Sequence, residues 1–152
     1  MPDSIKDKLI RLERILDATT EGWWEWNTET DQTLHGAGWF KMLGLGPIEG
    51  VVSNSLWKER IHPDDRVRAI ENQQLFLKSD DPWEQEFRML HQDGKYIWIL
   101  SRGKVLYRSA DGEALQVGGL NINITAQKNI QKLNADLVDK ENLVQGILKV
   151  SL

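Results

Sequence analysis

Residues 84–125, EQEFRMLHQDGKYIWILSRGKVLYRSADGEALQVGGLNINIT, decide the fold of this chain. The stretch contains two turn signals, Asp93-Gly94 and Asp111-Gly112, which are typical of short connections between antiparallel strands. They separate three β-rich runs, which lie at residues 84–91, 95–108 and 114–125. The stretch therefore predicts a meander of three antiparallel strands.

The residues before the meander predict two more strands and several helices. Trp24 and Trp26 alternate with polar residues at strand period, and residues 32–35 follow as a short second strand. Glycine and proline punctuation indicates short helices at residues 39–44 and 55–61. This order predicts an α+β fold in which a five-stranded antiparallel sheet carries short helices and one longer helix on one face.

The longer helix begins at Pro63, because proline suits the first helical position. Asp64 and Asp65 follow it, where carboxylates stabilise the positive end of the helix dipole. We therefore interpret these carboxylates as helix-start residues and not as a general acid/base pair. The apolar spacing predicts a buried face made of Val67, Ile70, Gln74 and Leu77.

An amphipathic helix is predicted at each end of the chain. At the amino end Ile5, Leu9, Leu12 and Leu16 recur at helical spacing, and we expect this helix to cover the sheet at Leu120, Ile122 and Ile124. We divide the chain into an amino-terminal flanking helix (1–19), a globular domain (20–125) and a carboxyl-terminal linker helix (126–152).

The carboxyl-terminal helix has the heptad spacing of a coiled coil. Its predicted a and d positions are Ile130, Leu133, Leu137, Lys140, Val144 and Ile147. A straight helix of this length would extend for about 37 Å, too far to pack only on the globular part. We expect a weak dimeric coil because Lys140 and Gly146 interrupt the seam. The alternative is a helix that docks back on its own sheet.

Composition excludes several classes of function. The 152 residues carry a net charge of −4, which argues against a nucleic-acid partner. The chain has no cysteine, so it forms no disulfide, thiolate zinc site or cysteine nucleophile. It also lacks an apolar run of 18 residues, from which we expect a cytoplasmic protein without direct membrane contact. His35, His62 and His91 lack the spacing of metal ligands.

Seven of the twelve aromatic residues are tryptophan. Together they could form a cage for a cation, but filling the core is the interpretation that we favour, since each tryptophan buries a large apolar area. Trp23 and Trp24 are adjacent in a strand and must point to opposite faces of the sheet. One of the two should therefore lie on the outer face.

Over residues 12–125 the chain resembles a PAS domain with its carboxyl-terminal PAC motif. The resemblance rests on WFKMLG (39–44), LWKERIHPDDR (56–66), the meander and the closing NINIT (121–125). The closing motif departs from the usual Asp-Ile-Thr, because position 123 is asparagine. Members of this family are non-catalytic sensory modules that precede histidine kinases, cyclases or phosphodiesterases in bacterial multidomain signalling proteins.

The resemblance implies a function in signal relay. A small ligand or a partner would bias the domain between two packings, and the helix after Thr125 would pass that bias to a downstream histidine kinase or diguanylate cyclase domain. Asn123 and Thr125 would form the hinge, and the chain would dimerise through its flanking helices. The alternatives are a ligand-free dimerisation module with a filled core and, least favoured, a small lyase-like cone that would need a buried acid/base dyad.

Strand alternation places one set of side chains on the face toward the expected pocket: Phe87, Met89, Ile99, Ser101 and Asn121. Without cysteine, the flavin–cysteine adduct and the cysteine-linked coumarate of some relatives are excluded. Residues 66–78 contain no histidine for a haem iron. Asn121 matches a position that faces non-covalent flavin in some relatives, but an internal hydrogen-bond network is the interpretation that we favour. On the other face we expect Glu86 to pair with Arg102.

Overall fold

One antiparallel sheet organises the fold. The computed structural model describes residues 4–18 and 21–151. Its helices are α1 (Ile5–Ala18), α2 (Ala37–Met42), α3 (Ser55–Arg60), α4 (Pro63–Phe76) and α5 (Thr125–Ser151). Its strands are β1 (Gly22–Asn27), β2 (Gln32–His35), β3 (Val52–Ser53), β4 (Trp83–Leu90), β5 (Tyr96–Arg108) and β6 (Ala114–Asn123). The spatial order of the strands is β3-β2-β1-β6-β5-β4.

The α+β class and the antiparallel sheet are confirmed, but the described part of the chain has six strands where five were predicted. The additional strand, β3, is only two residues long and exists through its pairing with β2, where Thr33 lies opposite Val52. A two-residue strand has no periodicity of its own. Sequence patterning therefore could not distinguish it from a loop.

The inner face of the sheet carries the core. Alternate residues of β4 and β5, among them Phe87, Met89 and Ile99, are fully buried there. Helix α2 packs on β1, and α4 packs on β4. Gly103 on β5 is required for close packing, because a Cβ atom at this position would lie 2.7 Å from the Trp83 ring.

The predicted buried face of α4 is wrong. Val67 is 68% exposed, and Gln74 is exposed as well, whereas Ile70 and Leu77 are only partly buried. The buried residues of the helix are Asp65, Ala69 and Gln73. Asp65 and Gln73 are polar, and Asp65 bonds to Arg88 of β4, so an apolar period does not reveal the face that packs on the sheet.

The expectation that α1 covers Leu120, Ile122 and Ile124 is also wrong. None of its described residues is buried, and its most extensive contacts are with α2 and β1. The apolar side chains at the heptad positions of α5 are all more than half exposed. Apolar periodicity identifies a helix face that needs a partner but does not identify that partner.

The outer face of the sheet agrees with expectation at Trp23 and differs at Arg102. Trp24 is buried on the inner face, while Trp23 is half-buried on the other face and its ring packs against Gly36. Arg102 pairs with Glu84 at 3.0 Å and not with Glu86, because the β4–β5 register places Glu84 directly opposite Arg102.

Candidate ligand-binding cavity

A cavity lies between the inner face of the sheet and helices α3 and α4. About 370 Å³ of atom-free space, part of it open to solvent, lies between its side chains. The centre of a water molecule can occupy about 20 Å³ of this space, more than the ~10–15 Å³ that one water requires. Its lining residues are Trp24, Trp26, Thr33, His35, Asn54, Trp57, Gln73, Trp83, Gln85, Ser101 and Asn121.

Strand alternation explains which sheet residues reach the cavity. Every second residue of an antiparallel strand points to the same face, and residues directly opposite each other share that face. Trp24 lies opposite His35, and Ser101 lies opposite Asn121. The residues that line the cavity from β1, β2, β4, β5 and β6 are therefore one continuous patch of the inner face.

Two tryptophans form an ordered aromatic wall. The ring centroids of Trp24 and Trp83 are 6.0 Å apart. Phe76 of α4 stacks on Trp83 with a centroid distance of 4.6 Å and an interplanar angle of 10°. Gly103 lies directly against both indole rings, since a Cβ atom at this position would contact each of them. The wall is held from two sides, which limits its freedom to collapse into the cavity.

Five buried polar atoms of lining residues have no hydrogen-bond partner within the part of the chain that the structure describes. They are Trp24 Nε1, Trp83 Nε1, His35 Nδ1, Gln73 Oε1 and Asn121 Oδ1. The indole nitrogens are donors and the amide oxygens are acceptors. A buried polar atom without a partner costs about 1–3 kcal/mol. Five around one cavity indicate a site that water or a polar ligand would complete.

His35 is uncharged in this environment. Burial lowers its pKa to about 4, because the charged imidazolium loses its hydration there. Its Nε2 lies 2.9 Å from Thr33 Oγ1, and its ring packs on Trp39 with centroids 3.8 Å apart. Depending on the tautomer, the remaining Nδ1 either donates or accepts.

Asp31 positions two lining residues although it is not one of them. Its Oδ1 accepts hydrogen bonds from Trp26 Nε1 at 3.0 Å and from Asn54 Nδ2 at 3.2 Å. The residue has φ of 53°, a left-handed conformation in which aspartate and asparagine are enriched among non-glycine residues. The β1–β2 turn thereby connects β1 to the start of α3.

We expect Asp31→Ala to lower the free energy of unfolding by about 2 kcal/mol, because it removes both hydrogen bonds and places a less suitable residue at positive φ. Asp31→Asn is the matched control, since its carbonyl oxygen still accepts and asparagine tolerates this conformation; the loss should stay under about 1 kcal/mol. Urea unfolding followed by tryptophan fluorescence measures both. Equal losses in the two variants would show that Oδ1 does not hold Trp26 and Asn54.

Two of the five residues predicted for the pocket face line the cavity, namely Ser101 and Asn121. Phe87, Met89 and Ile99 lie on the same inner face but are packed within the core beside the cavity. The sequence prediction missed five polar lining residues: Thr33, His35, Asn54, Gln73 and Gln85. Strand alternation could have found His35 and Gln85, whereas no local pattern points to Gln73.

The two residues predicted for the hinge are in contact at the start of α5. Asn123 Oδ1 accepts from the backbone N–H of Thr125 at 3.0 Å and from its hydroxyl at 2.6 Å. Thr125 Oγ1 in turn accepts from the backbone N–H of Trp98 at 2.9 Å. Asparagine at 123 thus performs the capping that an aspartate would perform, and it ties the helix start to β5.

A chain of charged and aromatic contacts connects α4 to α5 across the sheet. Asp65 of α4 accepts two hydrogen bonds from the Arg88 guanidinium, at 2.8 and 2.9 Å. The Arg88 guanidinium lies 5.3 Å from the centroid of the Trp98 ring, and Lys128 Nζ of α5 lies 4.8 Å from it. Lys128 also pairs with Glu86 at 2.5 Å. The contacts run without a gap from the helix that carries Gln73 to the carboxyl-terminal helix.

His62 lies at the start of α4 and has a structural role there. Its Nδ1 accepts a hydrogen bond from the backbone N–H of Asp64 at 3.0 Å, which caps the helix. Residues 4–18 and 21–151 contain no cluster of three or more histidine or carboxylate side chains that could hold a metal ion. Over the same ranges, no helix is both long enough and apolar enough to cross a membrane.

Residues 34–121, more than half of the chain, match the family model described as PAS fold. The chain therefore belongs to the PAS fold family, and its sheet and short helices are those of a PAS sensory domain.

Known proteins with similar sequences are much longer than this chain. A hybrid signal transduction histidine kinase of Dictyostelium discoideum is 33% identical over 86 residues, which are 55% of this chain and 4% of that protein. An uncharacterized protein of Sinorhizobium fredii is 24% identical over 135 residues, which are 87% of this chain and 16% of that protein. The chain thus spans under a fifth of the length of either relative.

Solved structures show the same fold in signalling proteins. A sensory box histidine kinase/response regulator from Burkholderia thailandensis has a TM-score of 0.71 at 26% identity, covering 89% of this chain and 98% of that one. The amino-terminal domain of a diguanylate cyclase with a PAS/PAC sensor from Marinobacter aquaeolei has a TM-score of 0.63 at 25% identity, covering 71% and 98%.

Proposed function

We propose that this chain is a cytoplasmic sensory module that binds a small molecule in the tryptophan-walled cavity and passes a conformational bias through α5 to an output domain. The observation that carries the proposal is the group of five unpartnered polar atoms around one buried cavity. In a core with a purely structural role, buried polar groups are normally hydrogen-bonded. The likeness to sensors of histidine kinases and a diguanylate cyclase supports one of these as the output.

The proposed relay starts at Gln73 and Asn121, which belong to α4 and β6. A ligand that bonds to Gln73 would favour one position of α4. The Asp65–Arg88 pair would transmit this displacement of the helix to Trp98. A ligand bonded to Asn121 would act on the end of β6, two residues before the Asn123–Thr125 cap. Both routes end at the first turn of α5, where a small shift would be magnified along a helix of 27 residues.

Native mass spectrometry of the freshly purified chain tests ligand binding, together with an absorbance spectrum above 300 nm. We expect a bound small molecule, or added mass that leaves on mild activation. The control is Gly103→Leu, whose side chain would push Trp83 and Trp24 into the cavity and should abolish the added mass. An identical native mass spectrum for the unmodified chain and Gly103→Leu would contradict binding in this cavity.

The ligand-free alternative is favoured by one observation, the small space open to water. If the cavity holds one or two waters only, the chain would act as a dimerisation module and its polar atoms would be completed by solvent. Absence of any bound molecule, combined with failure of added small molecules to raise the melting temperature, would support this alternative.

Dimerisation is proposed through the exposed apolar stripe of α5. Leu137, at the centre of the seam, is 57% exposed in the single chain, and neighbouring a and d positions are similarly exposed. An α-helix with an apolar stripe of this length is stabilised by pairing with a second copy. Lys140 within the seam should keep the pairing weak.

We expect Leu137→Asp to shift the chain from dimer to monomer, raising the dissociation constant at least tenfold, because it buries a carboxylate in the seam. Ala135→Asp places the same charge at the outermost heptad position and should leave the dimer intact. Light scattering at micromolar concentration distinguishes the two. A strict monomer for the unmodified chain would contradict the proposed seam.

A further inference from the structure

The chemistry of the lining residues defines the class of ligand more narrowly than the fold does. Resting on the sensory function proposed above, we infer that the cavity accepts a small uncharged heterocycle of one ring that carries both N–H donors and carbonyl acceptors, as in a cyclic amide or urea. The inference depends on three observations: the absence of charged side chains among the lining residues, the mixture of unpaired donors and acceptors, and the size of the cavity.

The described lining residues contain no carboxylate, ammonium or guanidinium group. The titratable side chain among them, His35, is neutral because burial lowers its pKa to about 4. An anion moved into such a site loses its hydration and meets no positively charged side chain, which costs several kcal/mol. Carboxylate and phosphate ligands are therefore excluded from this cavity.

A cation held by the tryptophan faces fits no better. Trp24 Nε1 and Trp83 Nε1 are donors without an acceptor, and a quaternary ammonium has no acceptor to offer them. One face of Trp83 is also covered by Phe76. A cation cage would leave both indole N–H groups unpaired beside a positive charge.

The unpaired atoms require a ligand that offers both hydrogen-bond donors and hydrogen-bond acceptors. The two indole N–H groups need acceptors, while Gln73 Oε1 and Asn121 Oδ1 need donors. His35 Nδ1 adapts to either through its tautomer. An apolar ring of the same size would satisfy none of these atoms. A ring that alternates N–H and C=O groups around its edge would satisfy donors and acceptors together.

The size of the cavity limits the ligand to one ring. The centre of a water molecule can occupy only about 20 Å³ of the space between the lining side chains. A cavity that binds benzene in another protein has about 150 Å³, so one ring is the largest ligand that a shift of these lining side chains would admit. Unsaturated rings are favoured over saturated ones because indole walls offer stacking contacts.

Binding to the full chain is tested with uracil, cytosine and 2-pyridone as probes, against toluene, orotate and tetramethylammonium. Calorimetry and the indole ¹H–¹⁵N resonances measure affinity and location. We expect at least one neutral heterocycle to bind ten times more tightly than all three comparison compounds, and to shift the Trp24 and Trp83 indole signals. Trp24→Phe should weaken that binding about fivefold to tenfold, the loss of one hydrogen bond.

Trp23→Phe is the matched control, because it deletes an unpaired indole N–H from the adjacent residue on the opposite face of the sheet. Its affinity should equal that of the unmodified chain. The inference is overturned if orotate, tetramethylammonium or toluene binds as tightly as the best heterocycle, or if no heterocycle binds at 10 mM. A charged molecule found in the cavity by mass spectrometry would overturn the ligand class and leave the sensory function standing; no bound molecule of any kind would overturn both.

Discussion

Lowering the pH from 7 to 4 is expected to remove about 3 kcal/mol of folding stability through His35 alone. The unfolded histidine takes up a proton near its ordinary pKa of 6.5, whereas in the folded protein the pKa is about 4. Between these values the unfolded state binds more protons, so stability falls as the pH is lowered through this window and is fully present above it. The cause is burial against Trp39 and Phe40.

Urea unfolding at several pH values between 7 and 4.5 measures this effect. In His35→Phe the stability should depend much less on pH, because the aromatic ring is kept and the titrating group is gone. Thr33→Val is the control: it removes the hydrogen bond to Nε2 and leaves the histidine buried, so the pH dependence should persist. If His35→Phe keeps the full pH dependence of the unmodified chain, the folded protein does not hold His35 as a buried neutral ring.

Asp65→Ala is expected to lower the free energy of unfolding by about 2–4 kcal/mol. The Asp65 carboxylate accepts from the guanidinium and from the backbone N–H of Arg88, so the substitution leaves three donors without their acceptor. Breaking a fully buried pair costs roughly 3–5 kcal/mol. The loss here is smaller because the Arg88 side chain remains 29% exposed.

Asp64→Ala is the matched control for this prediction. Its carboxylate is 78% exposed at the same helix start, and its removal should cost less than about 1 kcal/mol. Hydrogen bonds from Arg88 lower the pKa of Asp65 to about 2, so the contribution of its charge is present above pH 4 and lost as the pH falls toward 2. Equal losses for the two alanine variants would show that Asp65 acts only as a helix-start residue.

The same pair connects stability to the proposed relay. The Arg88 guanidinium bonds to Asp65 and also lies over the Trp98 ring. Lys128 of α5 lies over the same ring. Asp65→Ala should therefore also change the ¹H–¹⁵N signals at the start of α5, which a purely local effect on α4 would leave unchanged.

Much of the sheet could be predicted because its signals are local. The turn signals Asp93-Gly94 and Asp111-Gly112 and the strand alternation correctly indicated β4, β5 and β6. The alternation also placed Ser101 and Asn121 on the inner face, where the cavity lies. Strand β3 was missed because two residues carry no period, and the packed face of α4 was wrong because its buried residues are mostly polar.

Asp65 illustrates a role that sequence could describe only in part. Its position after Pro63 explains a carboxylate at a helix start, and this much is a local property. Its partner Arg88 lies 23 residues later on another element, and nothing in either segment predicts their register. Asp31 is similar, since its turn is visible in the sequence while its bonds to Trp26 and Asn54 are not.

The sequence motifs carry the resemblance to PAS domains. The order of the elements other than β3, the inner and outer faces of the main strands, and the exclusion of cysteine-dependent chromophores are also visible in the amino-acid sequence. Those properties follow from periodicity, turn residues and composition, which act between neighbours along the chain. Tertiary packing alone brings five residues with unpaired polar atoms around one cavity: Trp24, His35, Gln73, Trp83 and Asn121. These residues come from five separate elements, and their meeting depends on strand register and helix placement, which no local pattern records.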